Sequence, residues 1–184
     1  HPNYFDLRAL PTLSHQVSTV LTLHDAWLLS GHCAHSFGCE RWKTGCGNCP
    51  DLTIYPKIWR DASCYNWQLK AAIFRNSYLH IVTPCQWLMD KVNQSMLQPA
   101  IASSRVIPNG IDLSIFNPGD RLEARKRLGF PHDVDIILFA ASGIRTNPWK
   151  DYMTLNNALK KIAASGKKLL CIALGEKKED SIIL

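Results

Sequence analysis

Hydrophobic residues in this chain fall into short unbroken runs that alternate with longer segments of helical spacing. Short apolar runs rich in β-branched residues are typical of strands buried in a parallel sheet. Parallel strands need a crossover connection, which is usually a helix, so the alternation predicts an α/β fold with parallel sheets. The predicted strands are residues 17–23, 79–82, 105–107, 136–141 and 169–174.

Residues 62–76 form the predicted helix between the first two strands. Tyr65, Leu69, Ala72 and Ile73 fall on one stripe of such a helix, which is the pattern of an amphipathic segment. We expect this stripe to pack inward.

A further predicted helix follows the second strand and carries a clear start signal. Thr83 can cap it, and Gln86 stands three residues later, as in a capping box. Leu88 and Val92 lie four residues apart and begin its predicted buried stripe.

Pro108 and the Asn-Gly pair after it interrupt the alternation. Proline fixes its own φ and bars the preceding residue from the helical region, while Asn-Gly tolerates positive φ, so the chain must turn sharply here. The part before it is rich in Cys, His and Trp, whereas helices and apolar strands alternate after it. We therefore predict an interdomain hinge at residues 108–118. Residues 1–107 would belong to one domain, and residues 119–184 would form the start of another.

The composition is that of a folded globular protein, with 46% hydrophobic and 20% charged residues. The net charge of +6 favours anionic partners such as phosphates, acidic lipids or nucleic acid. No apolar run approaches the roughly 20 residues of a membrane-spanning helix. The sequence opens without methionine, so we expect a fragment. It has no signal peptide, so we expect a cytoplasmic protein, and its positive charge would suit an acceptor at the inner face of the membrane.

Four cysteines lie within seventeen residues in a segment, residues 30–50, that lacks hydrophobic periodicity. The cluster consists of Cys33, Cys39, Cys46 and Cys49. The two-residue gap between the last pair is typical of a zinc knuckle, and four thiolates would close the shell of a structural zinc ion with no open position for catalysis. The alternatives are two disulfides, unpaired thiols, or a set in which His32 or His35 replaces a cysteine.

His24 and Asp25 come directly after the first predicted strand. Open α/β sheets bind ligands at the carboxyl ends of their strands, and a histidine there can act as a general base or donate a hydrogen bond to substrate. The alternative is a histidine whose ring is satisfied by backbone at the strand end.

Residues 142–151 connect a predicted strand to its helix, where backbone amides and cationic side chains hold phosphate. Gly143, Arg145 and Lys150 are the candidates. A lysine at a helix start opposes the macrodipole unless an anion lies there, which favours phosphate over the alternative of solvent-facing charges.

Three motifs together resemble those of a known enzyme family. They are Thr-Leu-His-Asp at 22–25, Thr-Pro-Cys-Gln-Trp-Leu at 83–88 and Val-Ile-Pro-Asn-Gly-Ile-Asp at 106–112. In order and spacing they are similar to the motifs of retaining glycosyltransferases of the GT-B fold, family 4. The insertion at 30–50 is similar to that of a subgroup acting in polysaccharide or lipopolysaccharide assembly.

The resemblance implies parts of two Rossmann-like domains with parallel sheets. Residues 1–107 would be the C-terminal part of the N-terminal, acceptor-side domain, and residues 119–184 the start of the C-terminal, nucleotide-sugar-binding domain. In this family the two domains face each other across a cleft, and the second domain holds most of the nucleotide.

By position, His24 matches the histidine that faces the donor sugar, and Arg145 and Lys150 match the pair that holds the donor diphosphate, with Gly143 beside them. The growing charge on a departing diphosphate needs fixed cations, so no catalytic metal is expected. The implied partners are a nucleotide-sugar donor, a glycan or lipid-linked acceptor and a peripheral membrane surface.

The sequence also departs from the family pattern. Asp151 stands where the family has glycine, and Cys85 replaces a common serine. The family's glycine-rich loop belongs before residue 1 and its paired glutamates after residue 184, so we expect the chain by itself to lack transferase activity.

Two other functional classes fit parts of the sequence. A zinc-stabilised nucleic-acid-binding module would need cations interleaved with aromatics around the metal. The set there, Arg41, Trp42, Lys43 and Lys57, is small, so we expect no nucleic-acid partner. A non-catalytic scaffold of the GT-B fold is the other alternative.

Overall fold

The computed structural model describes residues 5–140, 143 and 147–175. The chain divides into two compact units, His1–Ile111 and Asp112–Leu184. Each unit contains helices and a parallel sheet in its described residues, which confirms the predicted α/β class with parallel sheets. Across the same residues, no helix is both long enough and apolar enough to cross a membrane.

In the first unit the described strands form a parallel sheet in the order β1, β2, β3. The helices and strands are α1 (Leu10–Gln16), β1 (Thr19–Thr22), α2 (Ser63–Arg75), β2 (Leu79–Thr83), α3 (Gln86–Asn93) and β3 (Ile101–Val106). One-turn 3-10 helices occur at Leu7–Ala9, Trp27–Leu29, Arg41–Lys43 and Gln98–Ala100.

One hydrophobic cluster joins β2 to helices α2 and α3. Phe74 from α2, Ile81 from β2 and Val92 from α3 are almost completely buried in it, and Leu88 is buried beside them, as its spacing predicts. Truncating a large side chain in such a core costs about 2–5 kcal/mol, so this cluster fixes the sheet on which the candidate histidine depends.

Helix α2 occupies its predicted position, but of the predicted buried stripe only Ile73 is buried. Tyr65 and Leu69 are 66% and 37% exposed. The inward face instead carries Trp67, which is half-buried, and the buried residues Ala71 and Phe74. Tryptophan and phenylalanine bury more apolar surface than the alternatives on the other stripe, so they set the rotation of the helix.

The capping box predicted at Thr83 is also wrong. Thr83 is the last residue of β2 and pairs with Val106 of β3. Its hydroxyl donates a hydrogen bond to the Cys85 carbonyl at 3.1 Å. Helix α3 begins only at Gln86, whose side-chain amide donates to Asp90 at 2.7 Å. Strand pairing therefore keeps Thr83 too far from the helix to cap it.

The two outer strands of this sheet differ from their predicted bounds. Strand β1 is shorter than predicted and half of its residues are exposed, with Val20 62% exposed. Strand β3 begins earlier than predicted and includes the exposed Ser103 and Ser104. Backbone hydrogen bonds to β2 hold these polar residues in the sheet, and such pairing leaves no trace in the hydrophobic pattern.

In the second unit the described strands β4 and β5 pair in parallel, with a helix between them, as predicted. The elements are α4 (Arg121–Leu128), β4 (Asp135–Ala140), the 3-10 helix Pro148–Lys150, α5 (Tyr152–Ala164) and β5 (Leu169–Leu174). Asp120 caps α4 by accepting the N–H of Glu123 at 2.7 Å. Arg125 of α4 is buried and donates to the Val134 carbonyl at 3.0 Å, so this cation holds the segment that leads into β4.

Candidate functional site

The carboxyl ends of β1, β2 and β3 lie at one edge of their sheet because the strands are parallel. Leu23 donates its N–H to the Val82 carbonyl at 2.9 Å, which extends the pairing beyond β1 by one residue. His24 and Asp25 follow at once and are exposed. The predicted His24 therefore lies at the edge where open α/β sheets bind ligands, and it is not a core histidine.

Asp25 shapes the turn that follows His24. Its carboxylate accepts the backbone N–H of Trp27 at 2.8 Å, and Ala26 donates its N–H to the Ala34 carbonyl at 2.8 Å. These bonds tie the residues after His24 both to their own turn and to the insertion. Asp25 thus stabilises the turn that follows His24.

His24 and Asp25 line a cavity of about 600 Å³. Most of its other walls are apolar, with Leu21 and Leu28 beside the sheet edge and Tyr55 from the segment beyond the cysteines. A few polar groups at the wall of an apolar cavity are typical of small-molecule sites.

The phosphate-binding residues predicted after β4 are described in part. Arg145 lies outside the described residues. Gly143 has a φ of 61°, a left-handed conformation that favours glycine, and its carbonyl accepts the N–H of Asn147 at 2.8 Å. Lys150 ends the 3-10 helix Pro148–Lys150 and is exposed. The loop therefore turns at Gly143 and presents the ammonium of Lys150 to solvent.

Asp151 separates Lys150 from helix α5. Its carboxylate caps the helix by accepting the N–H of Thr154 at 3.2 Å. An acidic cap offsets the positive end of the macrodipole, so the macrodipole gives no reason for an anion at Lys150. Asp151 is also left-handed, with φ 42° and ψ 54°, a conformation that glycine adopts most easily and that aspartate tolerates. This explains how aspartate can stand where the resembling family has glycine.

The four cysteines of the insertion line one small cavity of about 20 Å³, together with His32. Gly31 donates its N–H to the Cys46 sulfur at 3.2 Å, and the Nε2 atom of His32 lies 3.2 Å from the Cys49 sulfur. No described cysteine is in a disulfide. Over residues 5–140, 143 and 147–175, no group of three or more His, Cys, Asp or Glu side chains is arranged to hold a metal ion. The zinc ion stays a prediction.

The two histidines of the insertion have different surroundings. His32 is 3% exposed and lies beside Cys49, with its Nδ1 atom 3.4 Å from the Pro56 carbonyl oxygen. His35 instead stacks on Trp87, with ring centroids 5.4 Å apart. His32 is therefore the histidine that belongs with the cysteine cluster.

Lys70 of α2 is buried, and the hydrophobic pattern did not predict it. Its ammonium donates to the carbonyls of Trp27 at 2.6 Å and Ser30 at 3.0 Å. Burial lowers the pKa of Lys70 to about 7, while attraction to Cys46 and Cys33 acts in the opposite direction. One sequence feature could have indicated this burial: Lys70 lies one helical turn after Trp67, on a stripe that is otherwise apolar.

Asp61 is a second residue that sequence reasoning missed. Its carboxylate accepts the backbone N–H of Cys49 at 2.8 Å and both the N–H and hydroxyl of Ser63, at 2.9 and 2.6 Å. These hydrogen bonds, led by that of the Ser63 hydroxyl, lower the pKa of Asp61 to about 2. Asp61 thus joins the cysteine cluster to the start of α2. The clue was Asp-x-Ser just before a helical segment.

Cations beside the cysteine cluster make contacts within the insertion. Arg41 donates to the carbonyls of Gly47 and Asn48, and Lys43 pairs with Glu40. Nucleic-acid binding depends on cations that reach phosphates, and these contacts give that alternative no support.

The chain is similar in sequence to proteins described as glycosyltransferases. It is 39% identical over 101 residues to WcaC of Escherichia coli (strain K12), described as a colanic acid biosynthesis glycosyl transferase; the match covers 53% of this chain and 24% of that protein. It is 39% identical over 64 residues to the D-inositol 3-phosphate glycosyltransferase of Stackebrandtia nassauensis, covering 35% of this chain and 14% of that protein.

A third match is shorter but has a higher sequence identity. Over 31 residues the chain is 61% identical to D-inositol 3-phosphate glycosyltransferase 1 of Catenulispora acidiphila, covering 17% of this chain and 7% of that protein. The chain thus spans a quarter or less of the length of these curated relatives. No protein-family model matches it, and no solved structure matches it significantly.

Proposed function

We propose that this chain is part of a glycosyltransferase that moves a sugar from a nucleotide-diphosphate donor to a glycan or lipid-linked acceptor, with retention at the anomeric carbon. The observation that carries the proposal is the 39% identity over 101 residues to a protein described as a glycosyl transferase. Because that relative is described as acting in colanic acid biosynthesis, the acceptor proposed here belongs to polysaccharide assembly. The activity is proposed for a protein of the relatives' length that contains this chain.

The exposed His24 suits the donor sugar because a neutral imidazole both donates and accepts hydrogen bonds. At the carboxyl edge of the sheet it can bind a sugar hydroxyl and orient the anomeric carbon. The hydrogen bond from Trp27 to Asp25 holds the adjoining turn, so the histidine's backbone is fixed before substrate arrives. Such preorganisation raises the rate by reducing the entropy lost at the transition state.

Lys150, with Arg145, is proposed to hold the donor diphosphate. The bond between the anomeric carbon and the phosphate oxygen breaks with its electron pair on the phosphate, and fixed cations stabilise that charge. A bond from the acceptor hydroxyl oxygen then forms on the same face of the sugar. The departing phosphate oxygen lies on that face and takes the hydroxyl proton, so charge and atoms balance without a catalytic metal.

The apolar walls of the cavity beside His24 support the lipid-linked form of the acceptor. A glycan alone would present hydroxyl groups to Leu21 and Leu28, and those hydroxyls would lose hydrogen bonds with water. A lipid-linked sugar can place hydrocarbon against these side chains and its hydroxyl near the histidine.

The proposal is tested with a protein of the relatives' length that contains this chain. Incubation with a panel of nucleotide-diphosphate sugars and polyprenyl-phosphate-linked acceptors should release nucleoside diphosphate and glycosylate one acceptor. His24→Ala should lower kcat by about 10²-fold or more, whereas His15→Ala, at an exposed position on α1, should leave it unchanged. Binding of donor without any transfer would instead favour the non-catalytic scaffold.

A further inference from the structure

We propose that Cys33, Cys39, Cys46 and Cys49 bind one zinc ion as four thiolates and that this ion holds the insertion against helix α2. The first support is the shared cavity: all four residues line the same space of about 20 Å³. A space of that size accommodates about one small atom or ion. Thiolates are the ligands that zinc prefers in structural sites.

Hydrophobic burial contributes little to the stability of the insertion. Along residues 30–62, all of which are described, Trp42 is the sole apolar side chain that is buried. The same stretch has no strand and no helix longer than the single turn Arg41–Lys43. A segment of this length cannot offset its conformational entropy with so little buried apolar surface. A structural metal supplies the missing free energy in small domains of this kind.

The backbone between the last two cysteines has the shape of a metal-binding turn. Gly47 has a φ of 148° and Asn48 a φ of 45°, both in the region where most side chains are strained. These two residues reverse the chain so that Cys46 and Cys49 line the same cavity.

A donor already points at one of the sulfurs. The N–H of Gly31 donates to the Cys46 sulfur at 3.2 Å. Hydrogen bonds of this kind to ligand atoms orient and stabilise metal-bound thiolates. They have less to stabilise on neutral thiols, whose sulfur is a weak acceptor.

Lys70 supplies the charge balance. A zinc ion with four thiolates carries two negative charges in excess, and placing these inside a protein requires nearby cations. Lys70 is 5% exposed and has carbonyl oxygens as its hydrogen-bond acceptors, while Cys46 and Cys33 are close enough to attract it. The Asp25 carboxylate also attracts this ammonium, but less than Cys46 and Cys33 do, so an anionic cluster at the cysteines would supply most of the balancing charge.

The side-chain arrangement described above does not bring three ligands to one point. Metal binding therefore requires the thiols to rotate about their Cα–Cβ bonds toward the shared cavity. His32 can keep its Nδ1 contact with the Pro56 carbonyl oxygen at 3.4 Å. The proposed shell has four sulfur ligands and no nitrogen ligand.

The test measures metal content and ligand type on the purified full chain. Elemental analysis should find about one zinc ion per chain, and X-ray absorption should show sulfur ligands at about 2.3 Å with no nitrogen. Absence of zinc from the folded chain, or a shell containing nitrogen or oxygen, would overturn the proposal. These two measurements use the unmodified chain, so they test the proposal even if a cysteine substitution prevents folding.

Variants locate the site. Cys46→Ser and Cys39→Ser should lose zinc on dialysis against a chelator, whereas Cys64→Ser should keep it. Cys64 is the matched control because it is exposed and lies beside Gly47 without lining the cavity. Equal zinc in Cys46→Ser and Cys64→Ser, or two disulfides found by mass spectrometry of the alkylated chain, would contradict the proposal.

Discussion

The ammonium of Lys70 lies 3.6 Å from the centre of the Trp27 ring and donates a hydrogen bond to the Trp27 carbonyl at 2.6 Å. Through this pair, helix α2 holds the 3-10 helix Trp27–Leu29, which follows His24 closely. A buried cation therefore fixes the chain just beyond the candidate catalytic histidine.

Lys70→Met should lower the free energy of unfolding by about 1–3 kcal/mol, because the carbonyls of Trp27 and Ser30 would lose their partner while remaining buried. Gln68→Met, at an exposed position on the same helix, should change it by less than about 0.5 kcal/mol. Urea denaturation of both variants checks this. Equal midpoints for the two would show that the buried ammonium does not stabilise the fold.

Gly31→Ala should destabilise the chain strongly. A Cβ at Gly31 would lie 2.4 Å from the Ser63 carbonyl oxygen and 2.8 Å from its Cα, so the backbone of α2 would have to move. The expected loss is about 1–3 kcal/mol or more. Gly38→Ala is the matched control within the insertion, since a Cβ there meets nothing within 4 Å. Thermal unfolding that separates the two variants supports the close packing of Gly31 on Ser63, and identical curves would refute it.

The carboxyl group of Asp61 should titrate near pH 2. Its folded pKa lies below the value of about 3.9 expected for an unfolded chain, so its contribution to stability is complete above about pH 4 and disappears as the pH falls toward 2. NMR titration of the side-chain carboxyl measures this directly. Ser63→Ala removes the hydroxyl that lowers the pKa of Asp61 the most, so the pKa of Asp61 should rise in this variant. An ordinary aspartate pKa for Asp61 in the unmodified chain would contradict the hydrogen bonds from Cys49 and Ser63.

Replacing Asp151 with glycine should cost less stability than replacing it with alanine. Alanine removes the cap on Thr154 and keeps a side chain at positive φ, so Asp151→Ala should destabilise by about 1–2 kcal/mol. Glycine removes the same cap but is unstrained at φ 42°, and Asp151→Gly should be nearly neutral. Chemical denaturation ranks the two, and a glycine variant less stable than the alanine one would show that the position is not left-handed.

The hydrophobic pattern predicted the elements well where burial decides the structure. Strand β5 has its predicted bounds, and Leu88 and Val92 are buried at their predicted spacing. The pattern failed where hydrogen bonds decide. Thr83 belongs to a strand and does not cap α3. The hydrophobic pattern does not show whether such a residue ends a strand or begins a helix.

The candidate site was predicted unevenly for the same reason. His24 could be placed because a polar pair after an apolar run has one position in a parallel sheet, its carboxyl edge. Lys70 and Asp61 could not, because their roles depend on carbonyl and N–H groups distant in sequence. Lysine in particular is expected at the surface, and burial of its ammonium follows from the path of the insertion.

Binding of nucleoside diphosphate tests the proposed function most directly. The protein used has the relatives' length and contains this chain. Calorimetric titration with uridine and guanosine diphosphates measures Kd for the unmodified protein, for Lys150→Ala and for Lys160→Ala. Lys160 is the control because it is an exposed lysine on α5. Loss of one charge-assisted contact to phosphate should weaken binding by about tenfold or more in Lys150→Ala and leave Lys160→Ala unchanged. Equal affinity in all three proteins, or no binding by the unmodified one, would contradict the account.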